Sequence, residues 1–67
     1  MRKTIVYKSD KGMTATMKVS SYSVMLYVED ENKNIIINNE PYSGIISAKN
    51  ALIKLGGNWE FEIKEEE

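Results

Sequence analysis

Apolar and polar residues alternate along most of this chain, which is the pattern of β-strands with one buried face. The clearest case is segment 13–20, where every second residue is apolar and the residues between are Thr, Lys or Ser. Segments 2–8, 24–29, 35–38 and 59–64 alternate in the same way or are rich in β-branched residues. The pattern therefore predicts five strands.

Segment 43–57 is the only part of the chain with a helical period. At about 100° per residue, one apolar stripe is formed by Ile45, Ala48, Leu52 and Leu55. Ser43 is predicted to cap the start of the helix, because its hydroxyl can accept a hydrogen bond from the first turn. Gly56 is predicted to end it, since the residue after a helix often needs a left-handed backbone.

Three short polar turns join the first four strands, so these strands form an antiparallel meander. The helix then returns the chain across the sheet, and the last strand is predicted to pair with the first. The fold class is α+β, a single domain over residues 1–67 with the order ββββαβ. One helix packs on a coiled five-stranded antiparallel sheet of order 5-1-2-3-4, either open or closed into a small barrel. The charged end, 64–67, is expected to fray.

The third and fourth strands place apolar residues where solvent-facing polar residues are expected. Val24, Leu26 and Val28 suit the core, so Met25 and Tyr27 fall on the opposite face. Ile36 is expected to point away from the face that Ile35 and Ile37 share. It would then join Met25 and Tyr27 in an exposed apolar patch. The other interpretation is that the third strand is turned the opposite way, because short apolar runs are ambiguous. On the core face, Ile5, Tyr7, Trp59, Phe61 and Ile63 complete the inner layer.

The helix carries a second apolar flank of Ile46 and Ile53, seven residues apart, with Lys49 between this flank and the main stripe. In one interpretation a curled sheet wraps the helix and buries the flank, while Lys49 lays its stem on the surface and keeps its ammonium in water. In the other, the flank is a surface for a partner or for a second copy of the chain.

Composition excludes several kinds of chemistry. The 67 residues include no Cys and no His, so disulfides, the usual zinc ligands, an imidazole base and a thiolate nucleophile are all absent. The Gly pair 56–57 ends a helix, whereas phosphate-binding loops open one. We therefore expect no enzyme activity, no metal and no cofactor.

The N-terminal segment has no long apolar run, which predicts neither a signal peptide nor a membrane span, and hence a cytoplasmic protein. Ile, Lys, Asn and Glu are abundant, as AT-rich codons favour. We expect a bacterial source of low GC content, or one of its phages or mobile elements.

The first functional hypothesis is a non-catalytic interaction module that forms a homo-oligomer and binds, blocks or sequesters a protein partner. Chains this short bury a small share of their surface, and self-association is the stabilising device that this composition leaves. The contact residues would be Met25, Tyr27 and Ile36 on the sheet, or Ile46, Lys49 and Ile53 on the helix.

The alternative hypothesis is a binder of a small, anionic, nucleotide-like ligand or of single-stranded nucleic acid. Aromatic rings can stack on bases and Lys can contact phosphates. The residues for this role are Lys8, Lys18, Tyr22 and Tyr42. Nine basic against ten acidic residues give a net charge of −1, which disfavours a protein that relies on phosphate neutralisation.

Overall fold

The computed structural model describes the backbone of residues 2–66 and the side chains of residues 3–60. It has one five-stranded antiparallel sheet and one helix, as the alternation predicts. The elements in chain order are β1 (Arg2–Ser9), β2 (Thr14–Val19), β3 (Val24–Glu29), β4 (Ile35–Tyr42), α1 (Ile45–Leu55) and β5 (Trp59–Glu66).

The predicted strand order is confirmed, because the sheet runs β4-β3-β2-β1-β5. Among the described residues no pairing joins β4 to β5, so these two strands are the edges of an open sheet and the closed barrel is not formed. Every pairing between neighbouring strands is antiparallel.

The core lies between α1 and the centre of the sheet, and α1 packs against β2, β3 and β4. Its largest fully buried side chains are Met17, Leu26, Val28 and Leu52. Val24, Leu26 and Val28 are buried while the residues between them are half-buried, so the predicted orientation of the third strand is confirmed. Ala15 and Met17 are the fully buried residues of β2. Ala15 is small, and the unbranched side chain of Met17 can adapt its shape to the helix that packs on it.

The start of α1 differs from the prediction. The N-cap is Gly44, not Ser43, and no side chain donates or accepts a capping hydrogen bond there. The backbone N–H of Ala48 donates to the carbonyl oxygen of Gly44 at 3.2 Å, which closes the first turn. The Ser43 hydroxyl lies 3.4 Å from the Ser47 hydroxyl, so it forms a hydrogen bond with a side chain and not with the backbone of the first turn.

The end of α1 agrees with the prediction. Gly56 has φ 86°, a left-handed conformation that residues with a Cβ rarely adopt, and its N–H donates to the carbonyl oxygen of Ile53 at 3.0 Å.

Strand β4 is longer than the predicted 35–38, because it continues through Pro41 to Tyr42. Proline is tolerated here since β4 is an edge strand, where a missing N–H removes no ladder bond on the solvent side. The register with β3 shifts twice, and Asn39 has φ 50°. One shift places Ile35 opposite Glu29 and Ile37 opposite Val28. The expectation that Ile35 and Ile37 share a face is therefore wrong.

Strand β5 pairs with β1 in one unbroken register, from Ser9 opposite Trp59 to Arg2 opposite Glu66. The backbone of 64–66, which was expected to fray, lies in this strand, and Glu67 lies outside the described residues. Phe61 and Ile63 are register partners of Tyr7 and Ile5, but their predicted burial falls on side chains outside the described set.

Candidate interaction surfaces

The helix flank, defined as Ile46, Lys49 and Ile53, is exposed to solvent. Ile46 is 77% exposed and Ile53 is 66% exposed, whereas Ala48 and Leu52 on the other side of the helix are buried. The prediction that a curled sheet buries this flank is wrong, because the sheet stays open and α1 rests on β2, β3 and β4. The interpretation as a surface for a partner or a second copy remains.

A groove of about 290 Å³ continues the helix flank towards β1 and β5. It is lined by Tyr7, Lys49, Leu52, Ile53, Gly57, Asn58 and Trp59. Tyr7 and Leu52 are buried, and burial raises the pKa of the Tyr7 hydroxyl. The helix flank therefore continues into the groove through Lys49 and Ile53, and Lys49 is the one cation among the described residues that line the groove.

Trp59 is fixed in this groove by a hydrogen bond to the helix. Its indole Nε1–H donates to the backbone carbonyl oxygen of Leu52 at 3.0 Å. Trp59 is half-buried and packs against the core. Because both its ring and its polar atom are held, the ring presents a rigid wall to the groove.

The turn before β5 is held by the β1–β2 turn. One carboxylate oxygen of Asp10, Oδ1, accepts the backbone N–H of Asn58 at 3.0 Å, and the other, Oδ2, accepts the side-chain amide at 3.3 Å. The backbone N–H of Asp10 donates to the carbonyl oxygen of Asn58 at 3.0 Å. Gly57, with φ 84°, is required between these partners, since a Cβ would stand 2.8 Å from Asp10 Oδ1. These three hydrogen bonds between Asp10 and Asn58, called here the Asp10–Asn58 clasp, set the position of Trp59.

The outer-face patch is defined as Met25, Tyr27 and Ile36, of which Met25 and Tyr27 lie on the side of the sheet away from α1. Ile36 falls between the paired residues Ile35 and Ile37 at the register shift, so the β3–β4 pairing does not assign it to that face. The register places Met25 opposite Lys18 and Tyr27 opposite Thr16, which confirms that both are on the face away from α1. Both are half-buried, and Ile36 is 42% exposed at one of the register shifts. Desolvation, together with the charge and hydrogen bond of Glu29, raises the pKa of the Tyr27 hydroxyl.

The structure does not bring together the four residues of the ligand hypothesis. Lys8 lines a second groove, of about 300 Å³, whose other residues include two carboxylates, Asp10 and Glu60. Lys18 lies on β2 opposite Met25. Tyr22 is 95% exposed in the β2–β3 turn, and Tyr42 pairs with the buried Val24 and packs against the core.

The β3–β4 turn is ordered by one carboxylate. Asp30 Oδ1 accepts the backbone N–H groups of Asn34 at 2.9 Å and of Asn32 at 2.8 Å. The bonds from Asn34 and Asn32 stabilise the charged form and hold the pKa of Asp30 below its ordinary value. Within the described part of the chain, no group of three or more acidic side chains is placed to hold a metal ion.

Sequence reasoning missed the groove. The sequence pattern predicts Tyr7 and Trp59 only as core residues, and Gly57 only as part of the Gly pair that ends the helix. Their meeting depends on where α1 crosses the sheet, which no local pattern encodes. Ile35, also exposed, was missed because its face depends on a register shift.

The described residues include no helix that is long and apolar enough to cross a membrane. Comparison of the chain with protein-family models, with curated proteins and with solved structures gave no match. The fold is that of a small α+β unit, and any function must be argued from its surfaces.

Proposed function

We propose that this protein is a small, non-catalytic interaction module that works as a homo-oligomer and binds a protein partner. The observation that carries the proposal is the exposure of Ile46 and Ile53 on one side of α1. Single exposed apolar residues are ordinary on protein surfaces. Here Ile53 lines a groove walled by Trp59, and Ile46 is exposed on the same side of the helix. Apolar residues beside aromatic ones are typical of interfaces.

Size supports self-association. A 67-residue chain buries only about 60% of the surface that its unfolded form exposes, and this one has no cysteine for a disulfide. Covering the helix flank with a second copy would remove two isoleucine side chains from water. At about 0.8 kcal/mol per buried CH₂ group, that burial is a substantial addition for so small a core.

The outer-face patch is the surface that we assign to the protein partner. Its residues Met25 and Tyr27 lie on the opposite side of the sheet from α1, so an assembly formed through the helix flank leaves them free. Tyr27 combines a large apolar ring with a hydroxyl next to Glu29, and such side chains are enriched where proteins bind each other. A partner held there would be blocked or sequestered by the oligomer.

Binding of an anionic ligand or of single-stranded nucleic acid stays a prediction. Its four residues are spread over both faces of the sheet and one turn, and the groove beside Lys8 carries more negative than positive groups. No described feature favours this function over the interaction module.

Photo-crosslinking tests the self-association part of the proposal. A benzophenone amino acid is placed at position 53 and, as the matched control, at position 22. Both side chains are exposed, but Tyr22 lies in the β2–β3 turn, at the other end of the strands from Trp59. We expect a covalent dimer from position 53 and none from position 22. Equal dimer yields from both positions would contradict an interface on the helix flank.

The partner surface is tested with the same chemistry in cells that produce the protein. The crosslinker is placed at position 27 or at position 14, since both are half-buried on the outer face. We expect an adduct with a second protein from position 27 only. The same adducts from both positions, or none from position 27, would contradict the assignment of the outer-face patch.

A further inference from the structure

The two edges of the sheet are built differently. Strand β4 has two register shifts, the residue Asn39 with positive φ, and Pro41, all of which hinder pairing with another strand. Strand β5 has none of these features, and its eight residues, Trp59–Glu66, follow β1 without a register shift. A long, regular edge is a template for a further strand.

The hydrogen-bonding direction of β5 follows from one backbone contact. The N–H of Asp10 donates to the carbonyl oxygen of Asn58, and this pair continues the β1–β5 register. Backbone groups of an antiparallel strand turn to alternate sides, so the even-numbered positions of β5 face β1. The N–H and C=O groups of the odd-numbered positions are therefore directed to the free edge, and these positions are 59, 61, 63 and 65.

We propose that β5 pairs with β5 of a second copy of this chain, antiparallel and centred on Glu62, to form a continuous ten-stranded sheet. The proposal rests on the homo-oligomer of the proposed function and adds a second contact to it. It states which sheet edge joins two subunits and in which register.

Charge selects the register. For the two sheets to continue on the same face, a position of β5 must meet a partner position of the same parity. Centring on Glu62 sets Glu60 opposite Lys64 twice and leaves one pair of like charges, Glu62 with Glu62. Centring on position 61 sets Glu60 opposite Glu62 twice. Centring on position 63 sets Glu62 opposite Lys64 twice but also Glu60 opposite Glu66 twice. Of these three registers, the one centred on Glu62 has the fewest like-charge pairs, and it alone combines opposite charges with a single like-charge pair.

The pairing leaves the helix flank open. Helix α1 lies over β2, β3 and β4, so β1 and β5 of both subunits separate the two helices in the ten-stranded sheet. The strand contact and the helix-flank contact of the proposed function are therefore two separate surfaces of the homo-oligomer.

A charge-exchange experiment tests the pairing. Lys64→Glu and Glu60→Lys each create two like-charge pairs across the proposed axis, and the variant with both changes restores opposite charges. We expect each single variant to raise the dimer dissociation constant about tenfold or more, and the double variant to return it to near the wild-type value. Glu62→Gln removes the remaining like-charge pair and should lower the dissociation constant.

Sedimentation velocity over a concentration series gives these constants, with far-UV circular dichroism to show that each variant is folded. Lys18→Glu, the same charge change on the outer face of β2, two strands away from β5, is the matched control and should leave the constant unchanged. An oligomer that is insensitive to both single exchanges, or singles that the double variant does not rescue, would overturn this pairing and leave the homo-oligomer standing. A wild-type monomer at every concentration would overturn both.

Discussion

The indole N–H of Trp59 completes the last turn of the helix by donating to the carbonyl oxygen of Leu52 at 3.0 Å. In an uninterrupted helix that carbonyl would accept the N–H of Gly56, but Gly56 donates to Ile53 instead. The side chain of a strand thus satisfies a carbonyl that the helix end leaves unpaired. This bond joins β5 to α1 across the groove.

Removing this donor should destabilise the fold. Replacing Trp59 with 3-benzothienylalanine keeps the shape of the ring and replaces the N–H with sulfur, so the half-buried Leu52 carbonyl loses its partner. We expect the free energy of unfolding to fall by about 1 kcal/mol in urea titrations. Tyr22→Phe, which removes a polar hydrogen from a fully solvated ring, is the control and should change nothing. Equal stability of the benzothienyl protein and the wild type would show that the bond contributes nothing.

Two glycines on either side of the helix should respond differently to alanine. Gly57 has φ 84°, and its added Cβ would lie 2.8 Å from Asp10 Oδ1 and 3.0 Å from the Ser9 hydroxyl. Gly44→Ala meets nothing within 4 Å and has extended backbone. We expect Gly57→Ala to cost about 1–3 kcal/mol of unfolding free energy and Gly44→Ala to change it by about 0.5 kcal/mol or less. Thermal and urea unfolding of both variants provide the comparison, and a Gly57→Ala protein as stable as Gly44→Ala would contradict the clasp.

Acid should loosen the β3–β4 turn at a pH below the ordinary range for aspartate. The pKa of Asp30 is lowered in the folded protein from 3.8, so the unfolded chain takes up this proton first as the pH falls. The stabilisation that Asp30 provides is therefore complete above about pH 4 and is lost as the pH drops through the folded pKa. The backbone amide signals of Asn32 and Asn34 should titrate together in NMR spectra with a midpoint below 3.8. A midpoint at or above 3.8 would mean that the carboxylate does not hold these amides.

Much of the fold follows from local pattern. The strict alternation in β2 fits only a strand, and the apolar period around Leu52 fits only a helix. The three short turns then favour an antiparallel meander. The orientation of β3 did not follow from the pattern, because its short apolar run fits either orientation; the structure buries Leu26 fully.

The remaining features depend on how elements that are far apart in the sequence pack together. The register shifts of β4 and the continuation through Pro41 are tolerated because the strand is an edge, which is known only once the sheet is assembled. The exposure of Ile46 and Ile53 depends on the sheet remaining open, and the groove depends on where α1 crosses it. Periodicity reports which residues share a side of an element, but not what covers that side.

Substitutions on the exposed side of the helix should affect assembly, and substitutions on its buried side should affect stability. Ile46→Ser combined with Ile53→Ser changes two exposed residues, so the unfolding free energy of the monomer should change by about 0.5 kcal/mol or less. Leu52→Ala, on the buried side of the same helix, should lower it by about 2–5 kcal/mol. Urea unfolding at a concentration low enough to keep the protein monomeric distinguishes the two. A large loss of stability in the double serine variant would show that its isoleucines belong to the core.

The most direct test of the interaction module is sedimentation equilibrium of the wild type and of the Ile46→Ser/Ile53→Ser protein over the same range of concentrations. We predict a homo-oligomer for the wild type and a shift towards monomer for the double variant, with the far-UV circular dichroism unchanged. A wild type that sediments as a monomer of 7.7 kDa throughout, or a double variant that associates as strongly as the wild type, would contradict it.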